Sequence, residues 1–128
     1  MSEKRLLQAA VALCCLVPIF WGGLGVFWGL SMVAVAPPSS SGDGHFRYLS
    51  GLLLGIGLCF LSTVPRIEMR SARFGVLAAI VVIGGLGRLL SLALGGSPDA
   101  PTLFALAMEL GVTPALAFWQ LRVAQAAD

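Results

Sequence analysis

Charged residues are scarce in this chain of 128 residues. They make up 11% of the sequence, whereas hydrophobic residues make up 58% and the mean hydropathy is +0.93. A soluble domain contains about 25% charged residues. This shortage excludes an ordinary soluble domain and indicates an integral membrane protein. Since a transmembrane helix needs about 20 apolar residues, the chain has room for about four of them.

Residues that bind metals or form disulfides are also few. The chain has one histidine and three cysteines, and the cysteines all lie within apolar runs. Cys14 and Cys15 are adjacent, so they cannot bridge each other on a helix without distorting it. We interpret the cysteines as small buried hydrophobic residues. Without a CxxC motif or a second histidine, we expect no metal site and no cofactor.

The usual sequence signatures of catalysis and nucleic-acid binding are missing. No nucleophile stands beside a candidate base, and no glycine-rich nucleotide loop is visible. The basic residues lie in short loops between apolar runs and do not form one continuous basic stretch. We interpret them as topology signals and expect no nucleic-acid partner.

Four long apolar runs remain once the loops are set aside. They predict helices at about residues 6–36, 45–64, 74–94 and 102–120 in a single membrane domain, residues 1–128. The predicted fold class is all-α integral membrane, an up-down four-transmembrane-helix bundle.

Residues 34–36, Ala-Val-Ala, resemble the cleavage site of a secretory signal. The uncharged run before them is about twice as long as a normal signal core, and Pro37 should obstruct cleavage, so we interpret the run as a helix.

The basic residues predict an orientation. With four spans, the two termini and the 65–73 loop share one side of the membrane. That side holds six basic residues: Lys4, Arg5, Arg66, Arg70, Arg73 and Arg122. The opposite side holds Arg47 and, at depth, Arg88. The positive-inside rule therefore predicts that both termini are cytoplasmic.

Arg88 and Glu109 each interrupt an apolar run at a similar distance from the turn near Pro98. An antiparallel hairpin would bring them to similar depth. Because a charge inside the bilayer costs at least about 2.5 kcal/mol, we expect the two side chains to face the interior and pair.

Two interpretations of this pair stay open. In the first, it is a structural salt bridge that fixes the helix register. In the second, it belongs to a pocket where Arg88 and Arg47 hold an anionic or carbonyl group and Glu109 or His45 exchanges protons. The whole candidate cluster comprises His45, Arg47, Tyr48, Arg88, Ser91 and Glu109.

Glycines predict where helices approach each other closely. Gly25 with Gly29 and Gly51 with Gly55 form GxxxG pairs, and Gly84 lies near the end of the third run. Small residues let neighbouring backbones come close in a membrane. Since Arg47 lies on the side of Gly51 and Gly55, we expect it to be drawn toward Arg88 and Glu109. Proline predicts bends at Pro18 and Pro114.

Several of these residues together resemble a known group. The pattern is His45-x-Arg47-Tyr48-x-x-Gly51, Gly84-Gly85-x-x-Arg88-x-x-Ser91, Gly96-x-Pro98, and Glu109 with Pro114. It resembles small bacterial four-helix membrane proteins catalogued as a domain of unknown function, which look like distant relatives of the DoxX-like proteins. The resemblance implies a multi-pass protein of the bacterial inner membrane. It implies no particular activity.

Three functions are consistent with these features. The first is a non-enzymatic subunit or scaffold of a membrane assembly, with another membrane protein or a second copy of the chain as its partner within the lipid bilayer. The second is a binder or carrier of a small amphipathic ligand, a quinone or lipid, in an outer-half pocket lined by Arg47, Arg88 and Glu109. The third is a membrane enzyme that uses Glu109.

Overall fold

The computed structural model describes residues 2–34 and 36–127, and these residues form helices and no strand. The elements are α1 (Glu3–Trp28) with a following 3-10 turn (Gly29–Met32), α2 (Ser40–Leu61), a 3-10 segment (Val64–Met69), α3 (Ser71–Ala93), α4 (Ala100–Leu106), a π-helical segment (Ala107–Val112) and α5 (Thr113–Gln125).

Four helical stretches are long and apolar enough to cross a membrane, as the sequence predicted. They are Glu3–Met32, Ser40–Leu61, Ser71–Ala93 and Ala100–Gln125. All four begin two to five residues before the predicted start, within polar or mixed sequence. Val35, inside the Ala-Val-Ala motif at 34–36, lies outside the described residues.

Capping explains two of the early starts. The Ser39 hydroxyl accepts a hydrogen bond from the Gly42 amide, and the Asp99 carboxylate accepts one from the Thr102 amide at 2.8 Å. Each cap satisfies a backbone N–H that has no partner inside the first turn. The polar sequence that looked like the end of a loop is therefore the first turn of α2, and Asp99 starts α4.

The chain divides into two compact units, of which one spans Gln8–Val64. It contains most of α1 and all of α2. A Cβ at Gly22 would lie 2.6 Å from the Leu54 amide nitrogen, and one at Gly57 would lie 2.8 Å from Ile19 Cγ1. These two glycines therefore set the close approach of the helices in this unit.

The other unit combines Met1–Leu7 with Pro65–Asp128. Its buried apolar side chains are Leu7, Ile67, Phe74, Leu77, Ala78 and Val123. Gln120 is 1% exposed, and its amide donates to the Ile67 carbonyl at 2.8 Å and to the Ser71 hydroxyl at 2.9 Å. These bonds satisfy the buried amide and fix the loop before α3 against α5.

Candidate functional site

Arg88 on α3 and Glu109 in the π-helical segment form a two-point ion pair. Arg88 Nε lies 3.0 Å from Glu109 Oε2, and Arg88 Nη2 lies 3.1 Å from Glu109 Oε1. The pairing expected from the sequence is thus present. A planar guanidinium that engages both carboxylate oxygens fixes orientation as well as charge.

Gly85 brings the two helices together at this pair. A Cβ at Gly85 would lie 2.8 Å from Glu109 Cβ and 2.9 Å from Leu110 Cδ2, and Gly85 is buried. Gly85 lies three residues before Arg88, on a neighbouring part of the α3 surface. Only a residue without a side chain allows the backbone to approach Glu109 this closely.

The π-helical segment has a local cause in Thr113 and Pro114. The Thr113 N–H bonds to the Met108 carbonyl, and the Thr113 hydroxyl donates to the same carbonyl at 2.8 Å. Pro114 follows within the first turn of α5 and brings no N–H of its own. The bend predicted at Pro114 is a one-turn widening just before it, of a kind that recurs at functional sites.

The ion pair is only partly covered by its own chain. The Arg88 side chain is 43% exposed and the Glu109 side chain is 19% exposed. Among the described residues, only Glu109 accepts a hydrogen bond from Arg88, so Nη1 has no acceptor.

Hydrogen bonds from Thr102 are the main reason that the pKa of Asp99 lies below its usual range, and the Arg88 charge acts in the same direction. The field of Arg88 therefore reaches the loop that precedes α4.

Arg47 binds the end of α1. Its Nη1 donates to the carbonyls of Val26 at 2.6 Å and Phe27 at 3.0 Å, and its Nε donates to Asp43 Oδ2 at 2.7 Å. The last carbonyls of a helix have no partner within the helix, and a cation there also complements the helix dipole. Arg47 thus stabilises the α1–α2 connection.

Asp43 and Gly29 complete this arrangement, which we call the Arg47 clamp (Gly29, Asp43, Arg47). Asp43 Oδ1 accepts the Leu30 amide at 2.7 Å. Gly29 has φ +66, and a Cβ there would collide with Asp43 and Arg47. Sequence reasoning gave Gly29 a helix-packing role, and the contacts with Asp43 and Arg47 of α2 are consistent with it. Its position after α1 is in addition that of a C-terminal glycine cap.

The remaining residues of the predicted cluster are exposed. His45 and Tyr48 lie on α2, with Tyr48 63% exposed, and Ser91 lies on α3. Within the described part of the chain, none of these three side chains forms a hydrogen bond or ion pair. Their assignment to a binding site stays a prediction.

The predicted packing glycines differ from one another. A Cβ at Gly25 would collide with the Ser50 side chain, and one at Gly51 would meet Val26 Cγ2 at 3.8 Å. At Gly55 and Gly84, each within its own unit, a Cβ would find no described atom within 4 Å. Besides Gly25, close approaches lie at Gly22, Gly57 and Gly85, which sequence reasoning did not single out for packing.

One comparison with known proteins gives a match. The family model described as "Domain of unknown function (DUF4345)" matches residues 6–120. No curated protein and no solved structure matches the chain. The match agrees with the resemblance to a domain of unknown function.

Proposed function

The chain belongs to the DUF4345 family, and we propose that it is an integral membrane protein that acts as a non-enzymatic subunit of a membrane assembly. Large apolar side chains are exposed along all four apolar stretches, for example Leu13, Leu52, Ile83 and Phe118. Such exposure suits contact with lipid.

The partial exposure of Arg88 is the observation that carries this proposal. Arg88 lies five residues before the end of a stretch apolar enough to cross a membrane, and its side chain is 43% exposed. An uncovered cation in the bilayer costs at least about 2.5 kcal/mol. A second protein chain over this part of α3 would remove the charge from lipid.

The surface beside Arg88 suits close contact with another helix. Gly84, Gly87 and Ser91 are exposed, and they recur with Arg88 at positions i, i+3, i+4 and i+7 on α3. We call this surface the α3 small-residue face (Gly84, Gly87, Arg88, Ser91). Small residues permit the backbone approach that helix association in lipid requires.

A small amphipathic ligand is the second candidate, supported by the open Nη1 of Arg88. A guanidinium has five N–H groups, and Glu109 accepts from two of them. A quinone carbonyl or an anionic lipid group on the remaining donors would also cover the charge. The third candidate, an enzyme using Glu109, has less support because both carboxylate oxygens are engaged by Arg88.

Native mass spectrometry after purification in a gentle detergent tests the subunit proposal. A copurifying protein, or a second copy of the chain, that is lost in Gly87→Leu but retained in Leu86→Ala would support it. Leu86 is a fitting control because it is 52% exposed and lies at least 100° around α3 from every residue of this face. A stoichiometric small molecule without protein would favour the ligand instead.

We further propose that the chain lies in the bacterial inner membrane with both termini cytoplasmic, as an up-down bundle in one domain. The six basic residues on the side of the termini support this orientation. In a cysteine-free background, Ser97→Cys should react with an impermeant thiol reagent on intact cells, whereas Met69→Cys should not. The reverse pattern would contradict the orientation. The distant DoxX-like relationship stays a prediction.

A further inference from the structure

We propose that the unit formed by residues 2–7 and 65–127 carries a binding surface for the head group of an anionic phospholipid, at the end opposite the α3–α4 turn. We call it the basic end and define it by the exposed residues Arg5, Arg66, Arg70 and Arg122. This inference rests on the proposed membrane placement but not on the proposed protein partner.

Three separate segments are fastened together at the basic end. Lys4 Nζ lies 2.9 Å from Glu68 Oε1, which ties the start of α1 to the loop before α3. Gln120 donates to the Ile67 carbonyl, which ties α5 to the same loop. Arg5, Arg66, Arg70 and Arg122 all lie within three residues of these contacts. The backbone segments that bear the four arginines are therefore held together by these contacts.

The two described acidic residues at this end, Glu3 and Glu68, form their hydrogen bonds with residues other than the four arginines. Glu68 pairs with Lys4, and Glu3 Oε1 accepts the Trp119 indole N–H at 3.0 Å. Within the described residues, Arg5, Arg70 and Arg122 form no ion pair. The Lys4 hydrogen bond is the main reason that the pKa of Glu68 lies below its usual range, and the charge of Arg66 adds to it. An excess of positive charge is thus left facing outward.

Exposed apolar side chains stand among these arginines. Met69, between Arg66 and Arg70, is 73% exposed, and Leu121, beside Arg122, is 48% exposed. Soluble polyanions offer no surface for such side chains. An anionic phospholipid can contact both kinds of side chain, because its phosphate binds the arginines while its glycerol and acyl region contacts the apolar side chains. This combination at the ends of candidate spans favours a lipid over a nucleic acid.

Lipid retention in native mass spectrometry tests the proposal on the full chain. Phosphatidylglycerol and phosphatidylcholine with identical acyl chains are titrated against the protein in detergent. We expect phosphatidylglycerol to be retained more strongly by about 100-fold, because each of the four arginines near an anionic head group contributes about fivefold or less. Arg66→Gln with Arg70→Gln should weaken its retention by about fivefold for each arginine, and the corresponding lysine variant should keep most of it.

A matched control separates the site from net charge. Ser97→Glu with Ala100→Glu also lowers the net charge by two, at exposed positions beside the α3–α4 turn of the same unit, and should leave retention unchanged. If the glutamine variant does not fold, the native chain still provides a test, because raising the salt from about 50 mM to about 500 mM should weaken phosphatidylglycerol retention alone.

Three results would overturn the proposal: equal retention of the two lipids, equal losses in the glutamine and control variants, or full competition by inorganic phosphate. The last result would mean that any phosphate binds, without a need for the lipid. A protein partner lost in Gly87→Leu with no lipid preference would defeat this inference alone. A chain that does not sediment with membranes would defeat the membrane placement as well.

Discussion

Arg47 and Arg88 are arginines in similar sequence settings with opposite surroundings. Each lies in a stretch apolar enough to cross a membrane, and their side chains are 41% and 43% exposed. Arg47 has three protein acceptors, two of which are carbonyls at the end of α1. Arg88 has one acceptor group, the Glu109 carboxylate, and its Nη1 has no acceptor among the described residues. The two side chains are therefore about equally exposed, but the guanidinium of Arg47 has more hydrogen-bond acceptors than that of Arg88.

The difference indicates separate roles for the two arginines. Arg47 completes the hydrogen bonding of a helix end, so its contribution is to the fold of residues 8–64. Arg88 fixes the orientation of Glu109, and its remaining N–H donors are those that we propose to meet a group outside its own chain. Replacing Arg47 should therefore have the larger effect on folding stability, whereas replacing Arg88 should have the larger effect on assembly with a partner.

Replacing each arginine with leucine should give the largest effects. Arg47→Leu removes the donor from two carbonyls and from Asp43, so the free energy of unfolding in detergent should fall by about 1.5 to 3 kcal/mol. Arg88→Leu should cost less in the same measurement, about 1 kcal/mol, because the pair it breaks is partly exposed. In the native membrane, Arg88→Leu should release the proposed partner, whereas the folded fraction of Arg47→Leu should retain it. Equal effects in both measurements would remove the distinction.

Replacing Gly84 and Gly85 of α3 with leucine should distinguish packing within the chain from binding of a partner. Gly85→Leu places a side chain against Glu109 and Leu110, so it should lower the free energy of unfolding by about 1 to 3 kcal/mol. Gly84→Leu points into open space within its unit and should leave stability in detergent nearly unchanged, but it should weaken partner retention. A large stability loss from Gly84→Leu would place that face inside the fold.

The Arg47 clamp can be tested without touching a charge. Gly29→Ala and Gly95→Ala both put a Cβ on a residue with positive φ, +66 and +103 respectively. Each should cost about 1 to 2 kcal/mol of folding stability from backbone conformation alone. Gly29→Ala should cost more, because its Cβ also displaces Asp43 and Arg47, whereas Gly95 has open space around it. Equal thermal shifts would show that the clamp adds nothing.

The smallest expected effect is the acid sensitivity of the loop beside Arg88. The pKa of Asp99 is lowered by the Thr102 hydrogen bonds and by Arg88. A carboxyl whose pKa falls on folding stabilises the fold above its unfolded pKa of about 3.9, and this stability is lost as the pH falls through the folded pKa. Asp99→Asn should remove that part of the pH dependence of the melting temperature. Arg88→Leu should shift it toward higher pH.

Much of the architecture was accessible from the sequence. The four apolar runs are long, and their helical character does not depend on contacts between distant residues. The Arg88–Glu109 pair was predictable because the two residues lie at similar distances from one turn. The helix starts were harder to place, because Ser39 and Asp99 look like loop residues until their capping bonds are known.

The glycine contacts and the role of Arg47 were not accessible in the same way. Gly84 and Gly85 are about 100° apart on the helix, and a spacing pattern does not say which one faces a neighbour. For Arg47 a signal existed, since Asp43 precedes it by four residues and pairs at this spacing are common on helices. The acceptors at the end of α1 became apparent only with the α1–α2 connection in place.

Crosslinking within the native membrane tests most directly whether protein covers the α3 small-residue face. A diazirine amino acid would replace Ser91 in one variant and Leu86, which lies on another side of α3, in a control. We predict a protein adduct, either with a second copy of the chain or with another membrane protein, from position 91 and not from position 86. Adducts with lipid alone from both positions would contradict the account.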